Sequence, residues 1–237
     1  MTKRTDILLF VEDPGAANMA LDLPEKIAER GCQSSLLANG HAVGYLKDRN
    51  ATFQYISADE SALSLLADHS PQLLVVGTSE NSSSFGLDLI GTAHRQGIMT
   101  VALVDMSCNA DRRFRGRSDD ALTHAPERLV VPDITTRNAF IALGFRARNI
   151  ALLGHPQYDK VWRRRQLLEQ FVVRPCRERP RWVFVAEGFD QLRPEASFRS
   201  GEYTLAGRGD TDWRTGIVLE EILDGIAGFL PRPEIVV

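Results

Sequence analysis

Ile7-Leu8-Leu9-Phe10-Val11 runs without a polar break into Glu12-Asp13-Pro14-Gly15-Ala16-Ala17-Asn18. A strand with one wet face alternates apolar and polar residues. Five consecutive apolar residues instead predict a strand covered on both faces, as in a parallel sheet. Asp13-Pro14-Gly15 ends that strand. Residues 16–30 then read as a helix with Leu21, Ile27 and Ala28 on one side, kinked or shortened by Pro24, which has no amide to donate.

The same unit recurs along the chain. Strands are predicted near residues 34–38, 52–56, 73–76, 99–104, 129–131 and 150–153. Helical patterns lie between them, at about 60–67, 85–96, 135–143 and 158–171. Parallel neighbours need crossover connections of this length, which predicts an α/β fold of Rossmann-like type. The sheet is expected to be mostly parallel with helices on both faces. The loops after Val11, Val76 and Val104 should then open on one edge.

Composition changes after Phe171. Arg174, Pro175, Arg177, Arg179, Pro180 and Arg181 read as an extended charged linker, and Trp182-Val183-Phe184-Val185-Ala186 restarts the strand pattern. A polar, glycine-rich stretch reaches Gly209. Residues 211–230 read as a helix capped by Thr211 or Asp212, and Pro233-Glu234-Ile235-Val236-Val237 as a closing strand. The expected domains are 1–171, a Rossmann-like domain, and 172–237, a linker and the truncated start of a second one. A chain that stops on an apolar β-branched run is expected to have lost what followed.

Of the 237 residues 43% are hydrophobic, enough for a sizeable core, and a formal net charge of -3 gives no general attraction to nucleic acid or anionic membranes. Cys32, Cys108 and Cys176 form no CxxC pair and no disulfide framework. His41, His69, His94 and His124 show no metal-ligand spacing, and neither Ser79 nor Ser107 lies in GxSxG. The apolar opening run is too short for a signal sequence or a membrane span. These features predict a cytosolic protein with no metal site.

In open α/β sheets ligands bind beyond the carboxyl ends of the strands, so chemistry is sought in four loops. In the first, Gly15 permits close backbone approach and Asn18 follows on the helix. The same residues also read as a plain turn capped by Asp13. The second, from Gly77 to Ser84, is rich in hydroxyls and amides, with Ser79 a candidate for a sugar or phosphate; such loops also cap helices. The third holds Asp105 at a strand tip, then Asn109 and the arginines 112, 113, 115 and 117. Asp105 is a candidate general base or sugar-hydroxyl ligand, expected to stand free of the packed core, and Arg112 and Arg113 are candidates for a phosphate. A surface loop of self-paired charges is the competing reading. In the fourth, His155 is a candidate acid or base, although a lone histidine before a proline more often serves as a turn residue.

The segment from Val11 to Asn18, with Pro24 in the next helix, resembles the first strand-loop-helix of the non-hydrolysing UDP-N-acetylglucosamine 2-epimerases and the related two-domain (GT-B) glycosyltransferases. Ile150-Ala151-Leu152-Leu153-Gly154-His155-Pro156-Gln157-Tyr158-Asp159 is similar to the segment that closes their N-terminal domain, and Val131-Pro132-Asp133 to the strand before it. The resemblance implies a nucleotide-sugar-dependent, glycosyltransferase-like protein, the acceptor-side half, in polysaccharide or cell-envelope biosynthesis. Its expected partners are a nucleotide sugar and a glycan acceptor. No cofactor beyond that substrate is expected, nor nucleic acid; self-association into a homo-oligomer is. The epimerases carry an arginine in the first loop, where this chain has Glu12 and Asp13, a departure that counts against epimerisation; the alternatives to transfer are a non-catalytic binding module and an epimerase-like enzyme. In these families the second domain holds most of the nucleotide, so this chain should bind one feebly. Residues 189–209 are expected to be mobile or pinned by a neighbouring copy.

Overall fold

The computed structural model describes residues 5–57, 59–171, 179–186 and 214–237. The chain divides into two compact units, Met1–Gln170 and Phe171–Val237. In the first, seven strands form one parallel sheet: β1 (Ile7–Val11), β2 (Ser34–Ala38), β3 (Gln54–Tyr55), β4 (Leu73–Gly77), β5 (Met99–Leu103), β6 (Arg128–Val131) and β7 (Ile150–Leu152). Their spatial order is β3-β2-β1-β4-β5-β6-β7. The chain therefore winds outward from β1 in one direction and, after crossing back to β4, outward in the other.

The helices are α1 (Pro14–Ala20), α2 (Leu23–Ala28), α3 (Ala42–Lys47), α4 (Ala62–His69), α5 (Phe85–Gln96), α6 (Ile134–Ala142) and α7 (Pro156–Phe171). They cover both faces, and β1 shows why its apolar run is unbroken. Leu8 and Phe10 belong to one core cluster, with Leu65 and Leu66 of α4, Leu89 and Ile90 of α5 and Phe140 of α6. Leu9 and Val11 belong to the other, with Ala16, Ala17 and Met19 of α1 and Leu46 of α3. Every side chain of the strand thus meets a core, as the period-2 alternation of strand side chains requires.

The predicted helix over 16–30 is two helices. Leu21 and Asp22 separate α1 from α2, and Pro24 sits in the first turn of α2, where its missing donor leaves no bond unmade. The break comes ahead of the proline, at Leu21 and Asp22, and α2 starts one residue before it.

In the second unit, β8 (Arg181–Val183) and β9 (Glu234–Val236) pair in parallel, with α8 (Arg214–Ile226) between them in sequence. Arg181 grips Glu234 with two hydrogen bonds, Nε to Oε2 at 2.9 Å and Nη2 to Oε1 at 2.7 Å. The expected linker over 172–181 lies outside the described residues as far as 178, and its last residue, Arg181, already belongs to β8; the stretch 189–209 and the caps Thr211 and Asp212 also lie outside the described residues. No helix among the described residues is long and apolar enough to cross a membrane.

Candidate functional site

The strand order changes direction between β1 and β4. A switch point of this kind leaves a crevice beyond the strand ends, because the two following loops depart on opposite sides. Here those loops are tied together. Glu12, just past β1, accepts a hydrogen bond from Ser84 Oγ at 2.6 Å and another from Asn81 Nδ2 at 3.3 Å. Ser84 serves twice, since its oxygen also accepts from the Gly86 amide and caps α5. At the end of β4, Gly77 has no side chain where one would strike the Ala16 side chain, so α1 can close over the strand.

Asp105 reaches this crevice from the neighbouring strand β5. A Cβ added at Gly15 would collide with Asp105 Oδ2, so a glycine there gives the carboxylate its place. Oδ1 accepts from Arg113 Nη1 at 3.1 Å. The Arg113 side chain is 3% exposed and that of Asp105 14%. Nη1 also lies 3.3 Å from Thr78 Oγ1, Nη2 donates to the Cys108 carbonyl at 3.4 Å, and Glu80 Oε1 stands 3.5 Å from Nη2. Thr78 is itself fixed, its amide and hydroxyl both donating to the Leu103 carbonyl at 3.1 Å. Arg113 Nε is buried without an acceptor among the described residues. Arg113 is thus an internal counter-ion. Its guanidinium is engaged by Asp105, Thr78 and the Cys108 carbonyl instead of being open to the phosphate considered from sequence, and Asp105 does not stand free of the packed structure.

His155 is buried at the turn between β7 and α7. Its Nδ1 accepts from the Gln157 amide at 3.1 Å, which leaves the proton of the neutral ring on Nε2. Burial pushes the imidazole below its usual range, while the charge of Asp105 pulls it back up. A neutral ring in the field of Asp105 can donate a hydrogen bond from Nε2 at neutral pH.

The remaining candidates are distributed around this centre. Ser79 is buried and accepts from the Asn81 amide at 3.1 Å, so it shapes the loop after β4. Asn109 donates to both oxygens of Glu80, at 2.9 and 3.0 Å. Asn18 is half-buried on α1 and makes no side-chain hydrogen bond among the described residues. Asp13 occupies the cap position of α1, but its side chain makes no capping bond. Arg112 is exposed and lines a separate cleft with Arg115 and Arg117.

Sequence reasoning passed over Glu12, Thr78 and Glu80. A carboxylate at the tip of the first strand was a usable signal for Glu12. Thr78 and Glu80 carried none beyond membership of a polar loop. Among the described residues no group of three or more His, Cys, Asp or Glu is placed to hold a metal ion.

No protein-family model matches the chain, and no curated protein matches it. Solved structures do. UDP-N-acetylglucosamine 2-epimerase from Neisseria meningitidis, bound to UDP-GlcNAc, superposes with a TM-score of 0.52 at 10% identity over 98% of this chain and 72% of its own. The S. aureus MnaA–UDP structure gives 0.51 at 9% over 99% and 68%. The enzyme from Rickettsia bellii gives 0.50 at 12% over 71% and 49%. The chain spans between 49% and 72% of the length of the epimerases it matches. At such identities the likeness shows a shared fold, the α/β Rossmann-like architecture with a parallel sheet that the strand-helix alternation suggested.

Proposed function

We propose that this chain carries the sugar-handling crevice of a glycosyltransferase-like enzyme acting on nucleotide sugars in polysaccharide or cell-envelope biosynthesis. One observation carries the reading: a carboxylate, Asp105, is fixed over the switch point by a buried arginine, opposite a glycine whose lack of a side chain makes room for it. Arg113 holds Oδ1, which leaves Oδ2 to grip a sugar hydroxyl and take its proton. In transfer, the acceptor oxygen bonds to the anomeric carbon as that carbon's bond to the diphosphate breaks. The acceptor proton passes to Asp105. His155 Nε2–H offers a hydrogen bond to the same sugar, and Glu12, held by Ser84 and Asn81, forms the opposite wall. The epimerase folds that this chain shares support a nucleotide-sugar substrate.

The test is incubation with uridine, cytidine and guanosine diphosphate sugars and glycan acceptors, with products identified by mass spectrometry. Nucleoside diphosphate release that falls about 100-fold or more in Asp105→Asn supports the reading, as loss of a positioned general base would. An epimerised nucleotide sugar as product would replace transfer by epimerisation. Release unchanged in Asp105→Asn, or no turnover with any donor, would refute it.

A further inference from the structure

The loop after β5 holds four arginines within six positions, and the structure treats them differently. Arg113 and Phe114 turn inward: Arg113 onto Asp105, and Phe114 against Phe140 with ring centroids 5.8 Å apart. The His124 amide donates to the Phe114 carbonyl at 2.9 Å, closing the loop. Gly116 is buried with a φ of 58°, and a Cβ there would lie 2.9 Å from His124 Nε2. With 113, 114 and 116 fixed inside, Arg112, Arg115 and Arg117 face a cleft of about 400 Å³ that Ser82, Ser118 and Glu80 complete.

This cleft has a surplus of positive charge in a chain whose net charge is -3. Glu80, its one lining carboxylate, already takes two hydrogen bonds from Asn109 and faces Arg113. Arg115 donates to the Ser118 carbonyl at 3.1 Å and meets the fully exposed Asp119 only at 3.8 Å. Arg117 gives one bond, to Ser83 Oγ at 2.9 Å. The Arg112 guanidinium makes no hydrogen bond or ion pair with the described residues. Planar guanidinium forks are suited to the paired oxygens of a phosphoryl group, and a cleft lined without aromatic or aliphatic side chains offers nothing to an apolar ligand.

We propose that this cleft is an anion site for a phosphoryl group of the diphosphate class, held by Arg112, Arg115 and Arg117 with Ser82 as a further hydroxyl donor. Its volume lies at the small-molecule end of ligand sites, about 300–1,000 Å³, and suits a diphosphate rather than a polymer. Glu80 lines the cleft and also faces Arg113, so two ion pairs that share Arg113, Glu80–Arg113 and Arg113–Asp105, link the cleft to the carboxylate at the switch point. Anion binding here does not depend on what Asp105 does.

Isothermal titration of the full chain with inorganic pyrophosphate at constant ionic strength tests it. Saturable binding is expected, weakened about tenfold in each of Arg112→Gln and Arg117→Gln, as loss of one charge-assisted contact predicts. Both side chains are exposed, so circular dichroism should show both variants folded. Two further arms separate the sources of the group. Binding to pyrophosphate with none to phosphatidic acid vesicles means a soluble diphosphate, and sedimentation with the vesicles that is lost in Arg117→Gln means a lipid-borne phosphate. Absence of saturable binding in both arms, affinity unchanged in both variants, or tighter binding of a single-stranded oligonucleotide than of pyrophosphate would overturn the proposal.

Discussion

Arg113 Nη1 stands 3.1 Å from Asp105 Oδ1, and the arginine is buried while the aspartate reaches the crevice. The pair therefore joins stability to the site, because neither charge can be removed without leaving the other in a poorly solvated place.

Arg113→Met should lower the unfolding free energy by about 3–5 kcal/mol, the usual penalty for stranding one member of a buried ion pair. Asp105→Asn should be milder, because Thr78, the Cys108 carbonyl and Glu80 still surround the guanidinium. Urea titrations of both single variants and the double variant measure the coupling, expected within about 0.5–3 kcal/mol. Strict additivity would show that the two residues act independently.

Gly15→Ala should destabilise the chain by about 1–3 kcal/mol, since Asp105 or α1 must move to admit the methyl group. Gly91→Ala is the contrasting case. It lies within α5, where an added Cβ meets only Arg95 Nη1 at 3.7 Å, and alanine's helix preference should stabilise it by about 0.5–1 kcal/mol. Equal effects at the two glycines would contradict the steric account.

Acid should weaken the fold. Burial holds both His69 and His155 below their usual range, opposed by Asp68 and Asp105 respectively. Below about pH 6.5 the unfolded rings take up protons that the folded rings resist, so stability falls as pH drops through that value toward the folded pKa values. Denaturation midpoints at pH 7.5 and pH 5 should differ more in the native chain than in the His69→Gln, His155→Gln double variant.

Thr100 offers a structural control. It is fully buried near the amino end of β5, away from the crevice. Its hydroxyl and amide both donate to Glu127, while that hydroxyl accepts from the Glu127 amide at 3.1 Å. Burial pushes the Glu127 carboxyl upward, but these bonds outweigh it and hold the group below its usual range. Thr100→Val should cost about 1–3 kcal/mol through the unpaired groups left behind, with ligand binding unchanged.

Much of the fold was legible in sequence because burial on two faces leaves a visible mark. The unbroken run from Ile7 to Val11 needs two cores, and the structure supplies both. The switch point followed less directly, since strand order is a property of crossovers that no single segment records. Within the site, Asp105 and Gly15 stood out as strand-end residues, but their approach across β4 was invisible. So was the inward turn of Arg113, which sequence cannot tell from Arg112 or Arg115. Its neighbour Phe114 was the one hint, an aromatic in a charged run that needed a core to enter. Glu12 meets Ser84 across 72 residues, a pairing that only the closed sheet creates.

The central claim is that the switch-point crevice holds the sugar of a nucleotide sugar, and amide NMR of the isotope-labelled chain during titration with UDP-N-acetylglucosamine tests it most directly. Saturable shifts at Gly15, Thr78, Asp105 and Arg113, even at millimolar ligand, and their loss in Gly15→Ala, are the expected result. Saturable shifts confined to other residues, or none at these four at any concentration reached, would contradict the account.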